Sequence, residues 1–337
     1  VNTEENKYIA RLVKLICVFI NNFKTDGYNI DDFYRFERGN TNVRTKLFLD
    51  ICKECYLEYQ KKLAESNSID FQDMINDSAR ILREKEIAKE DVQGIGLGVP
   101  GPVDNEGVVH KCVNLGWDVV NVEKELEEKT GLLVKAGNDA NVASLGEMWK
   151  GGGEGYLDVV LLTLGTGVGG GIIIDGHAVV GAHGAGGEIG HITVRDDETE
   201  ACGCGRKGCL EQYASATGLV RLAKRYFEKN TKNSILIGKE ITAKEVFDAA
   251  KAGDAAALEI TEEFGAYLGQ ALVNLAATVD PAVFVIGGGV SKAGDILLET
   301  VRKYFYDHAF YGNQKTKITL ATLGNDAGIY GAAKQVL

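Results

Sequence analysis

Residues 184–191 read Gly-Ala-Gly-Gly-Glu-Ile-Gly-His, and residues 202–211 read Cys-Gly-Cys-Gly-Arg-Lys-Gly-Cys-Leu-Glu. A short acidic spacer separates the two segments, which together supply one imidazole and three thiols: His191, Cys202, Cys204 and Cys209. Four nitrogen and sulfur ligands are the donor set of a closed tetrahedral zinc site. Glycines between the cysteines allow a short loop to bring its thiolates onto one ion. The pattern therefore predicts a zinc loop.

Two simpler interpretations of the cysteine cluster stay open at this point. One is a disulfide or a chance cluster, which is disfavoured because Cys202 and Cys204 are too close in sequence to pair comfortably and no secretory segment is visible. The other is a zinc knuckle that only stabilises the fold. Against a purely structural knuckle, Glu188 and Glu211 flank the cluster and neither is needed as a metal ligand. Both carboxylates are therefore free to bind another molecule.

The composition is that of an ordinary globular protein. The chain has 337 residues, of which 45% are hydrophobic and 25% charged, enough for two or three domains with cores of their own. A net charge of −11 argues against a nucleic-acid-binding surface. Seven cysteines, no visible signal peptide and no apolar run long enough to cross a bilayer predict a cytoplasmic protein without membrane contact.

Residues 1–84 differ from the rest of the chain. Apolar residues at helical spacing in 8–23 and 45–64 predict a helical segment. Ser68–Ile75 resembles the Asp-Phe-x-Asp segment of superfamily 1 DNA helicases, which suggests an unrelated origin for this part. The phosphate-binding sequence G-x-x-x-x-G-K-[ST] occurs nowhere in the chain, so we expect no helicase activity.

From Val92 onward, strand patterns alternate with helix patterns, which predicts an α/β fold. The predicted strands are 92–99, 108–113, 132–136, 158–163, 172–174, 282–286 and 318–323. The predicted helices are 122–130 with Asn121 as N-cap, one ending near 150, 212–228, one starting at Thr242 with a capping box, about 254–278, and two starting at 295 and 326.

Two glycine-rich turns are candidates for nucleotide binding. Residues 165–171 contain G-x-G-x-x-G, but a strand follows instead of the helix that a dinucleotide site requires. A glycine hairpin can still bind phosphate through backbone N–H groups. A second turn follows a buried strand and precedes a helix, which suits the adenosine half of a nucleotide. The candidate residues are Gly165, Thr166, Gly167 and Gly169 in the hairpin, and Gly287, Gly288 and Gly289 in the second turn.

The motifs over about residues 85–337 resemble those of the ROK family of sugar kinases and sugar-responsive repressors. They are Glu-Ile-Gly-His, Cys-x-Cys-Gly-x-x-Gly-Cys-x-Glu, Asn-Leu-Gly-Trp at 114–117 and Gly-Asn-Asp-Ala-Asn at 137–141. Within the family they look closest to bacterial glucokinases. The resemblance implies a two-lobe sugar kinase of the actin-like ATPase (ribonuclease H-like) fold. It also assigns both glycine turns to nucleotide binding.

The resemblance implies a role for each site residue. Asp139 would be the general base that accepts the proton of the attacking sugar hydroxyl, although an aspartate at a strand–helix junction can also serve only as an N-cap. Zinc would fix the orientation of His191. The implied sugar ligands are Asn114, Asn138, Asp139, Glu188, His191 and Glu211, and the implied metal ligands are those of the zinc loop.

The implied reaction is phosphorylation of glucose to glucose 6-phosphate with ATP and Mg²⁺, by a protein that also carries Zn²⁺ and forms a homodimer. One departure is serious, because the family's Asp-x-Gly-Gly-Thr phosphate loop does not occur in this sequence. We therefore expect impaired catalysis. The expected domains are a helical segment at 1–84, a small lobe at 85–149 that lacks its first strands and is completed by 326–337, and a large lobe at 150–325.

Two alternatives remain open. The chain could be a sugar-responsive transcriptional repressor, but basic and acidic residues nearly balance in 1–80 and no clear helix-turn-helix pattern appears there. It could also be a non-catalytic sugar-binding fusion. The sequence does not decide which hexose is preferred.

Overall fold

The computed structural model describes residues 3–65, 73, 76, 80–82, 84–110, 117–231 and 233–337. The chain divides into two compact units, Val1–Val92 and Gln93–Leu337. Within the residues that are described, none of the helices combines the length and apolar character needed to cross a lipid bilayer.

The first unit is helical, as its apolar spacing predicts. Its helices include α1 (Thr3–Thr25), α2 (Ile30–Arg38) and α3 (Val43–Glu65). Aromatic side chains form much of its core, where the rings of Phe23 and Phe33 lie 4.2 Å apart. Asn29 begins α2 by accepting a hydrogen bond from the Asp31 N–H. Cys52 faces this core, and burial raises the pKa of its thiol to about 11, so it packs as an ordinary apolar residue.

The second unit is α/β, as predicted. Its strands are β1 (Gly94–Val99), β2 (Val108–Val109), β3 (Val120–Asn121), β4 (Leu133–Asn138), β5 (Val159–Leu164), β6 (Val168–Ile174), β7 (His177–Ala178), β8 (Val283–Gly287) and β9 (Lys317–Leu320). β1 pairs with β4 in parallel, and β2 pairs with β3 antiparallel. The other five strands form one sheet in the order β7-β6-β5-β8-β9, in which β6 runs antiparallel to β5 and β8 runs parallel to it.

The helices of this unit are α4 (Val122–Thr130), α5 (Asp139–Lys150), α6 (Glu211–Ala214), α7 (Ala216–Lys229), α8 (Ala243–Lys251), α9 (Ala255–Val279), α10 (Asp295–His308) and α11 (Ala327–Lys334). The side chains of β5 alternate between two apolar layers. Val160 and Leu162 face the layer that contains α9 and α10, whereas Val159 and Leu161 face α5.

Helix α5 links the β1-β4 sheet to the five-stranded sheet, because it packs against β1 and β4 and also against β5 and β6. It also crosses α11 at backbone contact. A methyl group added at Gly146 would overlap the carbonyl of Ala327, and one added at Gly331 would overlap the carbonyl of Val142. Glycine is required at both positions because no side chain fits between the helices.

Four predicted elements differ from the observed ones. The strand predicted for 172–174 begins at Val168, so the glycine turn covers only 165–167, and the strand predicted for 318–323 ends at Leu320. The helix predicted for 212–228 is broken at Ser215, whose Oγ accepts the Gly218 N–H and thereby starts a new helix. The strand predicted for 108–113 pairs only over 108–109, and its residues 111–113 lie outside the described ones.

Candidate active site

The junction of β4 and α5 presents the predicted base. Asn138 caps α5, since its Oδ1 accepts hydrogen bonds from the N–H groups of Ala140 at 3.0 Å and Asn141 at 3.3 Å. Its Nδ2 donates to the Gly101 carbonyl at 3.2 Å. Asp139 is therefore the first helical residue and not the cap, and it is exposed beside the end of β1.

The four predicted metal ligands converge. One ligand atom from each of His191, Cys202, Cys204 and Cys209 lies within 4.8 Å of all the others. Cys204 Sγ is 3.7 Å from Cys209 Sγ, and Cys202 Sγ is 3.9 Å from His191 Nδ1. Tetrahedral zinc with Zn–S bonds of about 2.3 Å separates its sulfurs by about 3.8 Å. The donor set therefore fits zinc in both chemistry and spacing.

Short backbone hydrogen bonds shape the loop around these ligands. Cys202 N–H donates to the Arg206 carbonyl at 2.7 Å, and Gly205 N–H donates to the Cys202 carbonyl at 2.8 Å. Gly205 and Gly208 have φ of +83° and +73°, a region that favours glycine. A methyl group at Gly208 would also overlap the carbonyl of Arg195. Gly203 has no such constraint, so two of the three loop glycines are required by geometry.

The thiols of the loop differ in their environments. Burial raises the pKa of Cys202 to about 12 and also raises the pKa of Cys209. The Arg206 N–H lowers the pKa of the exposed Cys204. A bound divalent cation would reverse the effect of burial, because coordination favours the thiolate.

The two flanking glutamates lie on either side of the imidazole. His191 Nδ1 faces Cys202, while His191 Nε2 is 3.9 Å from Glu188 Oε2. Glu211 Oε1 accepts from Cys202 Sγ at 3.2 Å, and its Oε2 accepts from the Val168 N–H at 3.3 Å. Glu211 thus connects the metal ligands to the glycine hairpin.

The two glycine turns lie at the same edge of the five-stranded sheet, since β5 and β8 run parallel and Thr163 pairs with Gly287. The turn 165–167 joins β5 to β6, and Gly169 lies within β6. Gly288 has φ of +82°, and a methyl group on it would lie 2.6 Å from the Leu164 nitrogen. The hairpin is held by α7, whose Thr217 Oγ1 donates to the Thr166 carbonyl at 2.7 Å.

Two clefts border the hairpin. One of about 340 Å³ lies toward the zinc loop, and its lining includes Thr166, Gly167, Cys202 and Glu211. The other, of about 650 Å³, lies between α7 and the start of α8, and its lining includes Thr166, Thr217, Val220, Lys224 and Ile241. The hairpin therefore has open space on both sides for a ligand that carries phosphates.

The close packing of Gly167 gives a testable prediction. A methyl group on Gly167 would overlap Glu211 Oε2, whereas one on Gly165 meets no atom within 4 Å. Gly167→Ala must displace the Glu211 carboxylate, and losing a hydrogen bond to a charged group costs about 1–3 kcal/mol. We expect calorimetry to show glucose affinity reduced about tenfold or more in Gly167→Ala and unchanged in Gly165→Ala. Equal affinities in the two variants would contradict this packing.

Glu198 is a site residue that the sequence analysis did not identify. Its side chain is 1% exposed and accepts hydrogen bonds from Tyr213 Oη, from Arg221 Nη2 at 2.5 Å and from both Arg225 Nη atoms at 3.1 Å. Burial by itself would raise the pKa of Glu198, but the hydrogen bonds from Arg225, Tyr213 and Arg221 outweigh it and hold the pKa well below its usual range. The network fastens the start of the zinc loop to α7.

Replacing Glu198 should therefore destabilise the protein. Removing one partner of a buried ion pair typically costs about 3–5 kcal/mol, so Glu198→Gln should lower the melting temperature strongly at neutral pH. The folded-state pKa is depressed, so the contribution of Glu198 is present above its ordinary pKa and is lost as the pH falls toward the folded value. The difference in melting temperature between wild type and variant should shrink under acid. The matched control is Glu200→Gln, because Glu200 contacts the same two arginines but is 63% exposed.

The structure brings together most of the residues predicted for the site. The predicted metal ligands lie in one cluster with Glu188 and Glu211, and Val168 joins that cluster to the hairpin. The hairpin also approaches α5, because a methyl group on Gly169 would lie 4.0 Å from Ala140 Cβ, next to Asp139. The predicted sugar ligand Asn114 lies outside the described residues.

Comparison with known proteins identifies the family. The ROK family model matches residues 39–337, so the match begins within the helical unit. A glucokinase of Halalkalibacterium halodurans is 46% identical over 250 residues, which are 72% of this chain and 76% of the relative. A xylose repressor of Caldicellulosiruptor bescii is 32% identical over 270 residues, covering 76% of this chain and 66% of the repressor.

Solved structures give the same result. The crystal structure of a ROK family glucokinase from Streptomyces griseus in complex with glucose and AMPPNP has a TM-score of 0.60 and 38% identity, covering 76% of this chain and 86% of that chain. A ROK hexokinase from Thermus thermophilus has a TM-score of 0.61 and 34% identity, covering 76% of this chain and 81% of that chain. The chain therefore belongs to the ROK family and has the α/β, two-lobe actin-like ATPase fold of its sugar kinases.

Proposed function

We propose that this chain is an ATP-dependent hexose kinase that converts glucose to glucose 6-phosphate. The observation that carries the proposal is the position of β6. Its Val168 N–H donates to Glu211 of the zinc loop, and its Gly169 approaches the start of α5 beside Asp139. The glycine hairpin, the carboxylates of the zinc loop and the candidate base thus border one region. The similarity to glucokinases supports the same assignment.

In this proposal the sugar is bound by carboxylate, amide and imidazole groups from both sides of the region. Asp139 accepts the proton of the attacking hydroxyl, while Asn138, Glu188, His191 and Glu211 hold the ring, together with Asn114. The N–H groups of 165–169 and the turn 287–289 bind the nucleotide. Phosphoryl transfer depends chiefly on placement and electrostatic stabilisation, so these residues act mainly by positioning the two substrates. Magnesium bound to ATP neutralises charge on the transferring phosphate.

Zinc has a positioning role in this proposal. His191 Nδ1 and the sulfurs of Cys202, Cys204 and Cys209 would hold the ion. A metal at Nδ1 fixes the tautomer of the imidazole and leaves Nε2 directed toward Glu188 and the sugar. The protein is also proposed to be a homodimer and to act in the cytoplasm.

We propose further that turnover by residues 1–337 is slow. The sequence contains no Asp-x-Gly-Gly-Thr loop to hold the transferring phosphate, and losing one principal electrostatic clamp costs a factor of about 10²–10³ in rate. The test compares this chain with a chimaera in which a family first hairpin replaces residues 1–84. A large rise in the chimaera is expected in a coupled glucose 6-phosphate assay. Equal rates would contradict the proposed impairment.

The kinase proposal itself is tested by titrating the zinc-loaded full chain with glucose in a calorimeter and by the coupled assay with ATP. We expect glucose to bind in the millimolar range or tighter, and ATP-dependent formation of glucose 6-phosphate. Absence of both would overturn the proposal.

A sugar-responsive repressor is the second candidate, favoured by the similarity to xylose repressors. A mobility shift with bulk DNA that glucose reverses, in a protein without kinase activity, would favour this candidate over the kinase.

A further inference from the structure

Asn141 has a buried polar atom that the site as described does not use. It lies on α5, its side chain is 3% exposed, and its Oδ1 has no hydrogen-bond partner. Within the part of the chain that is described, this is the one buried side-chain nitrogen or oxygen without a partner. Leaving a buried acceptor unpaired lowers the stability of the folded protein. Such an atom calls for an explanation in terms of function or of a second conformation.

The unpaired oxygen faces the loop that carries Glu188. A methyl group on Gly187 would lie 3.2 Å from Asn141 Oδ1, and one on Gly171 of β6 would lie 3.0 Å from it. Asn141 thus sits between the backbone of β6 and the backbone residue that immediately precedes Glu188. Among the described residues no hydrogen bond joins its Oδ1 to Glu188, so any influence on the sugar would pass through the loop backbone.

The same loop contains donors without acceptors. Gly186 N–H donates to the Val180 carbonyl at 2.7 Å. In contrast, the N–H groups of Gly187 and Glu188 donate to no acceptor in the described residues. Gly187 is half-buried, so its N–H is only partly served by solvent. Asn141 Oδ1, an acceptor without a donor, therefore lies beside a loop in which two backbone N–H groups have no acceptor among the described residues.

The other end of the loop is fixed. Gly184 is buried with φ of +67°, and a methyl group on it would lie 3.0 Å from the Val103 carbonyl oxygen. Between this contact and Ile189 the chain is Ala-Gly-Gly-Glu, and its two glycines offer little resistance to a change of backbone conformation. Because Gly186 is tied to Val180 by its N–H, the movement is confined to the backbone of Gly187 and Glu188, and a small rotation there would be enough to bring one of their N–H groups onto Asn141.

We propose that Asn141 is a positioning residue that anchors a closed form of the loop 184–188. When glucose engages Glu188, the N–H of Gly187 or Glu188 donates to Asn141 Oδ1 and holds the carboxylate in place. The proposal rests on the proposed sugar-binding function, and it assigns to Asn141 a role in sugar affinity without contact with the sugar. In the free protein the unpaired oxygen lowers stability, and closure recovers that loss.

The proposal predicts that one substitution affects stability and glucose affinity in opposite directions. Asn141→Leu has a side chain of similar size without the buried oxygen, so the free protein should melt at the same temperature as wild type or higher. Its glucose affinity should fall about tenfold, because the closed loop loses its anchor. Asn141→Asp keeps an acceptor and should retain most of the affinity. A purely structural role for Asn141 would lower stability and affinity together.

Ser144→Ala is the matched control. Ser144 is fully buried on the same face of α5, its Oγ donates to the Ala140 carbonyl at 2.7 Å, and it also packs against Gly171. The three atoms nearest to a methyl group on Gly187 belong to Asn141, Gly170 and Gly171, and none belongs to Ser144. Removing this buried hydroxyl should leave glucose affinity unchanged. If Asn141→Leu does not fold, Asn141→Ala replaces it in the same comparison.

The experiment combines calorimetry with hydrogen exchange on the zinc-loaded full chain. Saturating glucose should slow exchange of the Gly187 and Glu188 amides in wild type and in Asn141→Asp, but not in Asn141→Leu. The anchoring role of Asn141 would be overturned if Asn141→Leu kept the wild-type glucose affinity, or if Asn141→Leu and Ser144→Ala lost equal amounts of glucose affinity. If wild type binds no glucose, the proposed sugar-binding function fails, and this outcome by itself does not decide the role of Asn141. The melting temperatures of the free proteins then decide the anchor: Asn141→Leu melting at or above wild type supports an oxygen that is unpaired in the open form, and Asn141→Leu melting below wild type overturns it.

Discussion

Asp139→Asn is expected to reduce the rate of glucose phosphorylation by a factor of about 10²–10⁴, the usual contribution of a positioned general base. Glucose affinity should change little, because the amide still offers an oxygen and a donor to the sugar. The fold should be unaffected as well. Asn138 supplies the cap of α5, so the helix keeps its first hydrogen bonds when Asp139 is replaced. A charge in the first turn contributes only about 0.3–1 kcal/mol through the helix dipole.

The matched control is Asp31→Asn, which makes the same chemical change in the first turn of α2 in the helical unit. It should leave kcat and KM unchanged, and both variants should melt within a few degrees of wild type. A coupled glucose 6-phosphate assay measures the rates, and calorimetry measures affinity. If Asp139→Asn keeps the wild-type kcat, Asp139 is only a favourable first-turn residue and the base must be sought elsewhere.

Loss of one zinc ligand is expected to have the second large effect. Cys209 is fully buried and its Sγ lies 3.7 Å from Cys204 Sγ. Structural zinc contributes about 10–16 kcal/mol of apparent binding free energy in small domains at neutral pH. Cys209→Ser should therefore unfold the loop locally, abolish stoichiometric zinc binding and remove measurable glucose binding, because His191 and Glu211 lose their fixed positions.

Cys55→Ser is the matched control, since Cys55 is an exposed thiol outside the cluster. It should keep one zinc per chain and wild-type glucose affinity. Metal analysis and calorimetry make the comparison, and treatment of wild type with a chelator should reproduce the Cys209→Ser result. Substoichiometric zinc in wild type that added Zn²⁺ does not restore would contradict the metal assignment.

Features that depend on local sequence were predicted correctly. Asn121 caps α4 and Thr242 caps α8, because a cap depends only on residues within one helical turn. The four residues predicted to bind zinc converge because glycines at 205 and 208 allow the turns that their spacing requires, and their binding of zinc stays a prediction. The hairpin 165–171 leads into a strand, as its β-branched continuation indicated.

Features that depend on distant pairs were missed. Glu198 is joined to Arg221 and Arg225, but one sequence does not show which arginine a given glutamate meets across 23 to 27 positions. The break at Ser215 was missed for a different reason: its cap is local, but the apolar pattern continues through it and hides the start of a new helix. Nor could the sequence show that Asn141 lacks a partner, since that requires the position of every neighbouring donor.

The crossing of α5 and α11 has a mechanical consequence. Two rods that touch backbone to backbone at one point form a pivot there: they resist separation but can turn about it, within the limit set by the ring contact between Trp149 and Tyr330. Gly146 and Gly331 mark this pivot, and α5 carries the proposed base, Asp139, at its N-terminal end. Closure of the cleft over a sugar should therefore proceed as a swing about Gly146, in which Asp139 travels furthest, instead of as a slide of one layer over the other.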